Sequence, residues 1–294
     1  MVRLTVLGSG SSGNCAVVST DHTTLLIDAG LSSKQIGLRL EACGYSPDKL
    51  DGILLTHEHK DHTGGLEVFC RKYPVPLFCT ALTQETVGSS LAFRSPPRWK
   101  IMGTGEPFTF QDLQIECFPV PHDAVDPVGF VIQNEFARLG VLSDVGYVTS
   151  LIKDRLKHSD TLFVEANYDT QLLENDVHRP WSTKQRISSR HGHLSNDQTA
   201  ELLTELAHPG LANVVLGHLS DDCNCPNLAA DHMRRVLCEA GAPHTNVVCA
   251  ARREPTSTLE VAFRNRPAPS SSVAPDPSKD TEPTGTGQLA FWEV

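Results

Sequence analysis

The sequence predicts an α/β protein built on one mixed β-sheet or on two packed sheets. From about residue 4 to residue 263, short β-branched or apolar runs alternate with amphipathic stretches, which is the pattern of strands alternating with helices. Several successive apolar runs, early in the chain and again between residues 113 and 142, are separated by turns too short for a helix. The fold is therefore not a pure βαβ repeat, and no repeat of 20 to 50 residues is visible.

Ten segments predict strands and five predict helices. The strands are short runs rich in Val, Ile, Leu and Thr, and the helices carry apolar residues at three- and four-residue steps. The predicted strands cover residues 4–7, 16–18, 24–27, 52–55, 113–118, 128–132, 139–142, 161–164, 213–216 and 258–263. The predicted helices cover residues 33–42, 65–73, 147–157, 196–207 and 228–240.

The composition changes at about Arg266. Residues 266–287 consist mostly of Pro, Ser, Thr, Gly and charged residues, which predicts a disordered linker because there is almost no apolar side chain to bury. Residues 288–294 are apolar and aromatic again, which predicts a docking peptide. The sequence thus divides into a folded domain over residues 1–265, a linker over 266–287 and a peptide over 288–294.

Composition also restricts where the protein works. Of the 294 residues, 39% are hydrophobic and 20% are charged, which is an ordinary globular composition. No apolar run approaches the ~20 residues that a membrane helix needs, and the run before Gly8 is too short for a signal peptide. The nine cysteines are scattered and odd in number, which favours reduced thiols. We therefore predict a cytosolic protein with no membrane partner.

The strongest functional pattern follows the strand at residues 52–55. The segment HEHKDH places His57, His59, Asp61 and His62 within six residues at the end of an apolar strand. Imidazole and carboxylate groups are the ligands that Zn²⁺, Mn²⁺ or Fe²⁺ prefer. Alternate residues of an extended chain point the same way, so the first two histidines can share one ion while the later pair turns toward a second. A solvated polar loop with incidental histidines is the alternative.

The His-x-His-x-Asp-His motif resembles that of the metallo-β-lactamase superfamily. That resemblance implies a four-layered αββα sandwich with a metal centre at one edge of the sheets. Further motifs follow in the expected order, each after a predicted strand: PHDA at 121–124, SDVG at 143–146 and GHLS at 217–220. The resemblance implies one ion bound by His57, His59 and His122, a second bound by Asp61, His62 and His218, and a shared ligand in Asp144.

A narrower resemblance is to the YycJ/WalJ-like branch of the superfamily. It rests on those motifs together with LGSGSSGNC at 7–15, VEAN at 164–167 and HGHLSN at 191–196, and it covers residues 2 to about 263. Members of that branch are regarded as nucleases, which implies 5′ exonuclease action on DNA. Two divalent ions, whether Zn²⁺, Mn²⁺ or Fe²⁺, would activate a water and bind the oxygens of a phosphodiester. The predicted reaction is therefore hydrolysis of a DNA phosphodiester, in repair or in replication-linked processing.

Glu165 and His193 resemble the Glu and His that flank the site in related tRNA 3′-processing enzymes. A carboxylate bonded to an imidazole keeps it protonated near neutrality, so His193 could protonate the leaving 3′ oxygen. An ordinary histidine at a helix start, equivalent to neighbouring His191, is the alternative. With Asp61 of the metal motif, these two residues complete the predicted catalytic set.

Two segments are candidates for holding nucleic acid. The chain has a net charge of −10, so any nucleic-acid contact must be local. Residues 178–190 contain four permanent cations, one tryptophan and no acid, which predicts a phosphate track, although a solvated basic helix face has the same pattern. The glycine-rich turn at 8–14 could form an anion nest or simply a tight hairpin. The predicted substrate contacts are Arg179, Lys184, Arg186, Arg190, Ser9, Ser11, Ser12 and Asn14, with Trp181 stacking or packing beneath.

The C-terminal peptide resembles the short peptides by which bacterial DNA enzymes dock on the sliding clamp. Its predicted contacts are Gln288, Leu289, Phe291 and Trp292, and a flexible tether would raise its effective concentration near DNA. Another partner, or folding back on the domain, remains open.

Three functions therefore remain at this point. The leading one is a dinuclear DNA exonuclease. The second is a hydrolase of RNA, or of a small phosphodiester or thioester, with the same fold. The third is a metal-binding adaptor that is tethered to a partner by its C-terminal peptide.

Overall fold

The computed structural model describes residues 1–261, which form two seven-stranded sheets. The predicted linker and docking peptide, including Gln288, Leu289, Phe291 and Trp292, lie outside the described residues. The first sheet contains β1 (Arg3–Gly8), β2 (Cys15–Ser19), β3 (Thr24–Ile27), β4 (Gly52–Leu54), β5 (Pro76–Cys79), β6 (Arg98–Ile101) and β14 (Leu259–Glu260). The second contains β7 (Phe108–Phe110), β8 (Leu113–Pro119), β9 (Val128–Gln133), β10 (Arg138–Leu142), β11 (Thr161–Glu165), β12 (Asn213–Gly217) and β13 (Asn246–Cys249).

The two sheets share one pairing pattern. The first has the strand order β14-β1-β2-β3-β4-β5-β6, and the second has the order β13-β12-β11-β10-β9-β8-β7. In the first sheet the pairs from β14 to β3 are antiparallel and those from β3 to β6 are parallel. In the second, β7 to β10 pair antiparallel and β10 to β13 pair parallel. The carboxyl ends of parallel strands meet at one edge of a sheet, where open α/β sheets form their sites.

Helices cover both outer faces, so the predicted four-layered αββα sandwich is confirmed. In β3 the side chains alternate: Leu25 and Ile27 belong to the core between the sheets, whereas Leu26 packs under the helices of the first sheet. The helices are α1 (Ser33–Ala42), α2 (Lys60–Thr63), α3 (Leu66–Lys72), α4 (Ala81–Ser90), α5 (Ser150–Leu156), α6 (Thr170–Asn175), α7 (Trp181–Ile187), α8 (Asn196–Leu206) and α9 (Pro226–Glu239). Buried residues of α1, α3 and α4 pack on the first sheet, and those of α5, α8 and α9 pack on the second.

Some elements differ from the prediction. The strands β5, β6, β7 and β13 and the helices α2, α4, α6 and α7 lie outside the predicted segments. The helix predicted over residues 147–157 begins only at Ser150, because the Thr149 side chain accepts a hydrogen bond from the Ile152 amide and caps the helix there. All nine cysteines are free thiols. Within residues 1–261, no helix has the length and apolarity that crossing a membrane requires.

Candidate metal centre

The loop after β4 brings four candidate ligands to the edge of the first sheet. The Thr56 amide and hydroxyl both donate to the buried carboxylate of Asp28 at 2.9 Å, which fixes the start of the loop. His57 then follows, and its ring centroid lies 4.6 Å from that of His59. His59 caps α2, so Asp61 and the buried His62 lie in the first turn of that helix.

A first group of three imidazoles forms around His57. The nitrogens of His57, His59 and His122 can all lie within 4.8 Å of one another. The Nδ1 atom of His122 lies 3.0 Å from the Gly192 carbonyl oxygen, which leaves Nε2 for the centre. Burial lowers the pKa of His122 and holds that of His57 well below its usual range. Both rings are therefore neutral, and the neutral imidazole is the form that binds a metal ion.

A second group lies beside the first. Asp61 Oδ2 is 3.6 Å from His62 Nε2 and 3.5 Å from His218 Nε2. Asp144 contacts both groups, because its Oδ2 is 3.5 Å from His57 Nε2 and 2.5 Å from His62 Nε2, while Oδ1 contacts His218 Nδ1. The structure thus brings all seven residues that the sequence assigns as ligands to one place, with Asp144 between the two groups.

The donor set fits divalent cations. His57 Nε2 and His218 Nε2 are buried, and neither has a hydrogen-bond partner within residues 1–261. Buried polar atoms without partners are costly, and bound cations would satisfy both nitrogens. Burial alone would lower the pKa of His62, but the charges of Asp144 and Asp28 outweigh it and raise that pKa to about 10. A proton and a metal ion would therefore compete for this imidazole.

Asp28 is a supporting residue that the sequence analysis missed. It is buried directly after β3, and its Oδ2 accepts a hydrogen bond from His62 Nδ1 at 2.7 Å. A carboxylate behind a metal-binding imidazole fixes the tautomer and the ring orientation. A signal for Asp28 was present in the sequence. Like Asp144, which was assigned as a ligand, it is an acidic residue that follows a predicted strand, here at the start of the segment Asp-Ala-Gly at residues 28–30.

The glycine-rich turn lies against the candidate ligands. Ser9 and Asn14, which were predicted to contact substrate, are buried. Asn14 Nδ2 lies 3.3 Å from Asp61 Oδ2 and 3.1 Å from His62 Nε2, while Ser9 Oγ accepts a hydrogen bond from the His218 amide at 2.8 Å. In this structure the two side chains therefore contact candidate ligands or their backbone. Ser11 and Ser12 are exposed, and Ser12 Oγ accepts a hydrogen bond from Arg252.

Three residues of the centre have left-handed backbone. Asp28, Asp144 and His218 have φ angles of 60°, 51° and 53°, and each lies one or two residues after a strand. Asp and His tolerate this region better than most residues with a Cβ atom. The chain therefore changes direction sharply at the edge where the candidate ligands gather.

Glu165 and His193 lie beside the centre. Glu165 ends β11 and is buried, and its Oε1 accepts hydrogen bonds from His193 Nδ1 at 2.6 Å and from His218 Nδ1 at 3.1 Å. The His193 ring centroid lies 5.3 Å from that of His122 and 5.0 Å from that of His218. Burial lowers the pKa of His193, but the Glu165 carboxylate outweighs it and raises that pKa above the usual value.

The predicted phosphate track spans helix α7 and the residues on either side of it, but most of its cations have partners. Arg179 pairs with Asp176 at 2.5 Å and with Asp222 at 2.9 Å. Lys184 Nζ donates to the Glu174 carbonyl at 2.8 Å, and the Arg190 guanidinium lies 4.2 Å from the Tyr147 ring centroid. Trp181 is 70% exposed, so its ring does not pack beneath the helix. Arg186 is exposed and bonds to Asp123, the residue after His122.

Comparisons with known proteins agree with this geometry. The sequence profile of the β-lactamase superfamily domain matches residues 23–219. The chain is 34% identical over 240 residues to the exodeoxyribonuclease YycJ of Bacillus anthracis, covering 82% of this chain and 90% of that protein. It is 36% identical over 240 residues to the exodeoxyribonuclease WalJ of Streptococcus pneumoniae, covering 81% and 89%. The crystal structure of the metallo-β-lactamase fold protein YhfI from Bacillus subtilis superposes with a TM-score of 0.66 at 17% identity, covering 87% and 98%.

Proposed function

The chain belongs to the metallo-β-lactamase superfamily and is a metal-dependent hydrolase, and we propose that it is a DNA exonuclease that acts from a 5′ end. The observation that carries this proposal is that seven candidate ligands lie together and that the hydrogen-bonded Glu165–His193 pair lies beside them. In phosphodiester hydrolysis a metal centre can activate the attacking water, and a proton donor can protonate the leaving oxygen. The names of the two exodeoxyribonuclease relatives support DNA as the substrate.

We propose two divalent ions, of which Zn²⁺, Mn²⁺ and Fe²⁺ all suit the donor set. One would be held by the imidazoles around His57, the other by the group around His62, with Asp144 between them. When bound, the ions supply an activated water and a clamp on the phosphodiester oxygens. The full set of proposed ligands is His57, His59, His122, Asp61, His62, His218 and Asp144.

The protein residues then orient the ligands and move a proton. Asp28 binds His62 Nδ1, which orients the ring so that Nε2 faces Asp61 and Asp144, and Asn14 Nδ2 lies 3.3 Å from Asp61 Oδ2. His193 donates its Nδ1–H to Glu165, so the proton that it can give to the leaving 3′ oxygen is the one on Nε2. The Glu165 carboxylate keeps this imidazole charged at a pH where an ordinary histidine would be neutral.

The strand would reach the centre over the exposed side chains around it. We propose that Arg186, Arg190 and Lys184 on the helix α7 side, and Ser11 and Ser12 on the glycine-rich turn, contact phosphates. Arg179 is held by two acidic groups and serves the substrate only if a phosphate replaces one of them. The exposed Trp181 ring can stack on a base.

The cellular role is a further part of the proposal. Nine free thiols suit the reducing cytosol, and a nuclease there could act in repair or in replication-linked processing. Docking on a sliding clamp by Gln288, Leu289, Phe291 and Trp292 rests on the sequence pattern alone. Deletion of residues 287–294 should abolish clamp binding, and binding that survives the deletion would exclude the idea.

Labelled oligonucleotides test the function directly. Single- and double-stranded DNA and matching RNA, with and without a 5′ phosphate or a blocked 3′ end, should be incubated with Mn²⁺ or Zn²⁺. We expect mononucleotide release from the 5′ end of DNA, and loss of that release in Asp61→Ala. Faster cleavage of RNA than of DNA would contradict DNA as the substrate. Release from the 3′ end would contradict the proposed 5′ polarity. If no polymer is cleaved, a small substrate or an adaptor function would be favoured.

A further inference from the structure

Asp123 is a carboxylate that neither the ligand set nor the acid–base pair uses. Its Oδ1 lies 3.2 Å from His122 Nε2, and its Oδ2 accepts a hydrogen bond from Arg186 Nε at 2.7 Å. Its backbone amide donates to the His191 carbonyl at 3.0 Å. Asp123 therefore connects a candidate metal ligand to helix α7 and to the loop that follows this helix.

Arg186 has the free hydrogen-bonding capacity that this connection would use. Its side chain is 68% exposed, and only Nε has a hydrogen-bond partner within residues 1–261. The terminal nitrogens of a guanidinium form a planar fork that matches two oxygens of a phosphate. A carboxylate that binds Nε restricts the rotation of the guanidinium and leaves both terminal nitrogens pointing away from itself.

A negative charge beside the path of a polyanion needs a reason. The Asp123 carboxylate lies next to the first imidazole group and would repel an approaching phosphate if it acted by its charge alone. The pairing of Asp123 with Arg186 offsets that repulsion. It also holds the Arg186 cation near His122, because the same carboxylate contacts both side chains. Since Arg179 and Lys184 have other partners, Arg186 is the helix α7 cation whose partner contacts a candidate metal ligand.

We infer that Asp123 is a positioning residue that aims Arg186 at a phosphate of the DNA strand beside the His57, His59 and His122 group. This inference rests on the proposed nuclease function. It assigns Arg186 to one particular phosphate next to the centre rather than to a diffuse basic face. It also predicts that removing the Asp123 charge weakens DNA binding, whereas a purely repulsive carboxylate would give tighter binding when its charge is removed.

The test uses Asp123→Asn, Arg186→Gln and the double variant in the metal-loaded protein. Affinity for an oligonucleotide with nuclease-resistant linkages is measured by fluorescence anisotropy over a range of salt concentrations, with KM, kcat and metal content alongside. We expect Arg186→Gln to weaken binding about 10-fold and to lower the salt slope by about one. Asp123→Asn should weaken binding about 3- to 10-fold, and the double variant should be no worse than Arg186→Gln because the two residues act as one unit.

The matched control is Asp231→Asn, which removes the same charge from an exposed Asp–Arg pair on α9 and should leave affinity unchanged. Tighter DNA binding in Asp123→Asn would overturn the inference, because it would mean that the carboxylate only repels the strand. Loss of metal with unchanged DNA affinity would also overturn it, since Asp123 would then serve the centre directly. A wild-type protein that cleaves no nucleic acid would instead remove the proposed function itself.

Discussion

The two sheets supply candidate ligands to the same centre in different ways. The first sheet supplies four from one six-residue loop after β4, and the second supplies one from each of three separate connections that follow β8, β10 and β12. The first group is a local motif that can be recognised in the sequence by itself. The second group comes together only because parallel strands place their carboxyl ends at one edge. The difference shows how one centre can depend on both local sequence and global topology.

The supports of the two groups differ as well. In the first sheet, the carboxylate of Asp28 binds His62 Nδ1, and the Asn14 amide nitrogen lies 3.3 Å from Asp61 Oδ2. In the second sheet, Glu165 binds both His193 and His218, and two of the three ligands have left-handed backbone. Asp144 contacts His57 and His62 from the first sheet and His218 from the second. Substitutions among the residues of the first sheet and among those of the second should therefore have different effects on metal binding. Substitution of Asp144 should affect the ligands from both sheets.

The largest expected effect is that of Asp144→Asn. Removing the charge between the two groups should lower the metal content of both proposed sites and reduce kcat/KM by about 1,000-fold or more, as loss of an essential group does in other enzymes. Metal analysis of the purified protein measures the first effect and oligonucleotide cleavage the second. Asp61→Asn should remove only one ion per chain. Equal metal loss in both variants would contradict the shared position of Asp144.

The next effect concerns the proton donor. His193→Ala should lower kcat by about 100-fold or more with full metal content, because the leaving oxygen would lose its acid. His191→Ala is the matched control, since His191 is exposed two residues away and its side chain contacts none of the candidate ligands within residues 1–261. Unchanged turnover in His193→Ala would leave this imidazole without a catalytic role.

A smaller effect should follow from Asp28→Asn on the first-sheet side. A carboxylate behind a metal-binding histidine is worth about 10- to 100-fold in metal affinity, so the variant should bind the ion near His62 more weakly by that factor. The control is Asp51→Asn, which removes another carboxylate that accepts a backbone hydrogen bond, here from the Thr24 amide at 2.8 Å. Titration with a chelator compares the two variants. Equal metal affinity in both would show that Asp28 supports only the loop.

The smallest effect is a shift in a pH profile on the second-sheet side. His193 must be protonated to act as an acid, so kcat should fall as pH rises through its pKa, which Glu165 raises above the usual histidine value. Glu165→Gln removes that charge, lowers the pKa of His193 and should move the alkaline limb to lower pH. The profile is measured at saturating substrate, with metal content checked because Glu165 also contacts His218. If the alkaline limb of the pH profile does not move in Glu165→Gln, that limb reports the titration of a group other than His193.

Much of the fold follows from hydrophobic pattern, and the missed elements are those that bury little. Helix α1 and strand β3 occur over the predicted residues because each has buried apolar side chains on a regular period. Strand β6 at the sheet edge is mostly exposed and contains Arg98 and Lys100, so it lacks the apolar alternation of a strand. Helix α4 buries only Thr83 and Val87, which leaves no amphipathic stripe to detect.

The site shows the same division between local and distant information. The HEHKDH segment identified a metal centre from neighbouring residues, and the resemblance supplied the partners from the second sheet. The contacts of Asn14 with His62 and of Ser9 with the His218 amide could not be predicted, because a glycine-rich turn has the same sequence whether its side chains face solvent or the buried centre. Asp123 and Asp28 act through contacts with residues distant in sequence, which no single motif contains.

The left-handed backbone of Asp28, Asp144 and His218 has a consequence for how this protein can evolve. Each such residue costs about 1–2 kcal/mol relative to glycine, which adopts the same angles freely. Glycine at any of these positions would relax the turn while deleting a functional side chain. Selection for thermal resistance alone would therefore erode the chemistry, and descendants that have lost activity should carry glycine first at these turns.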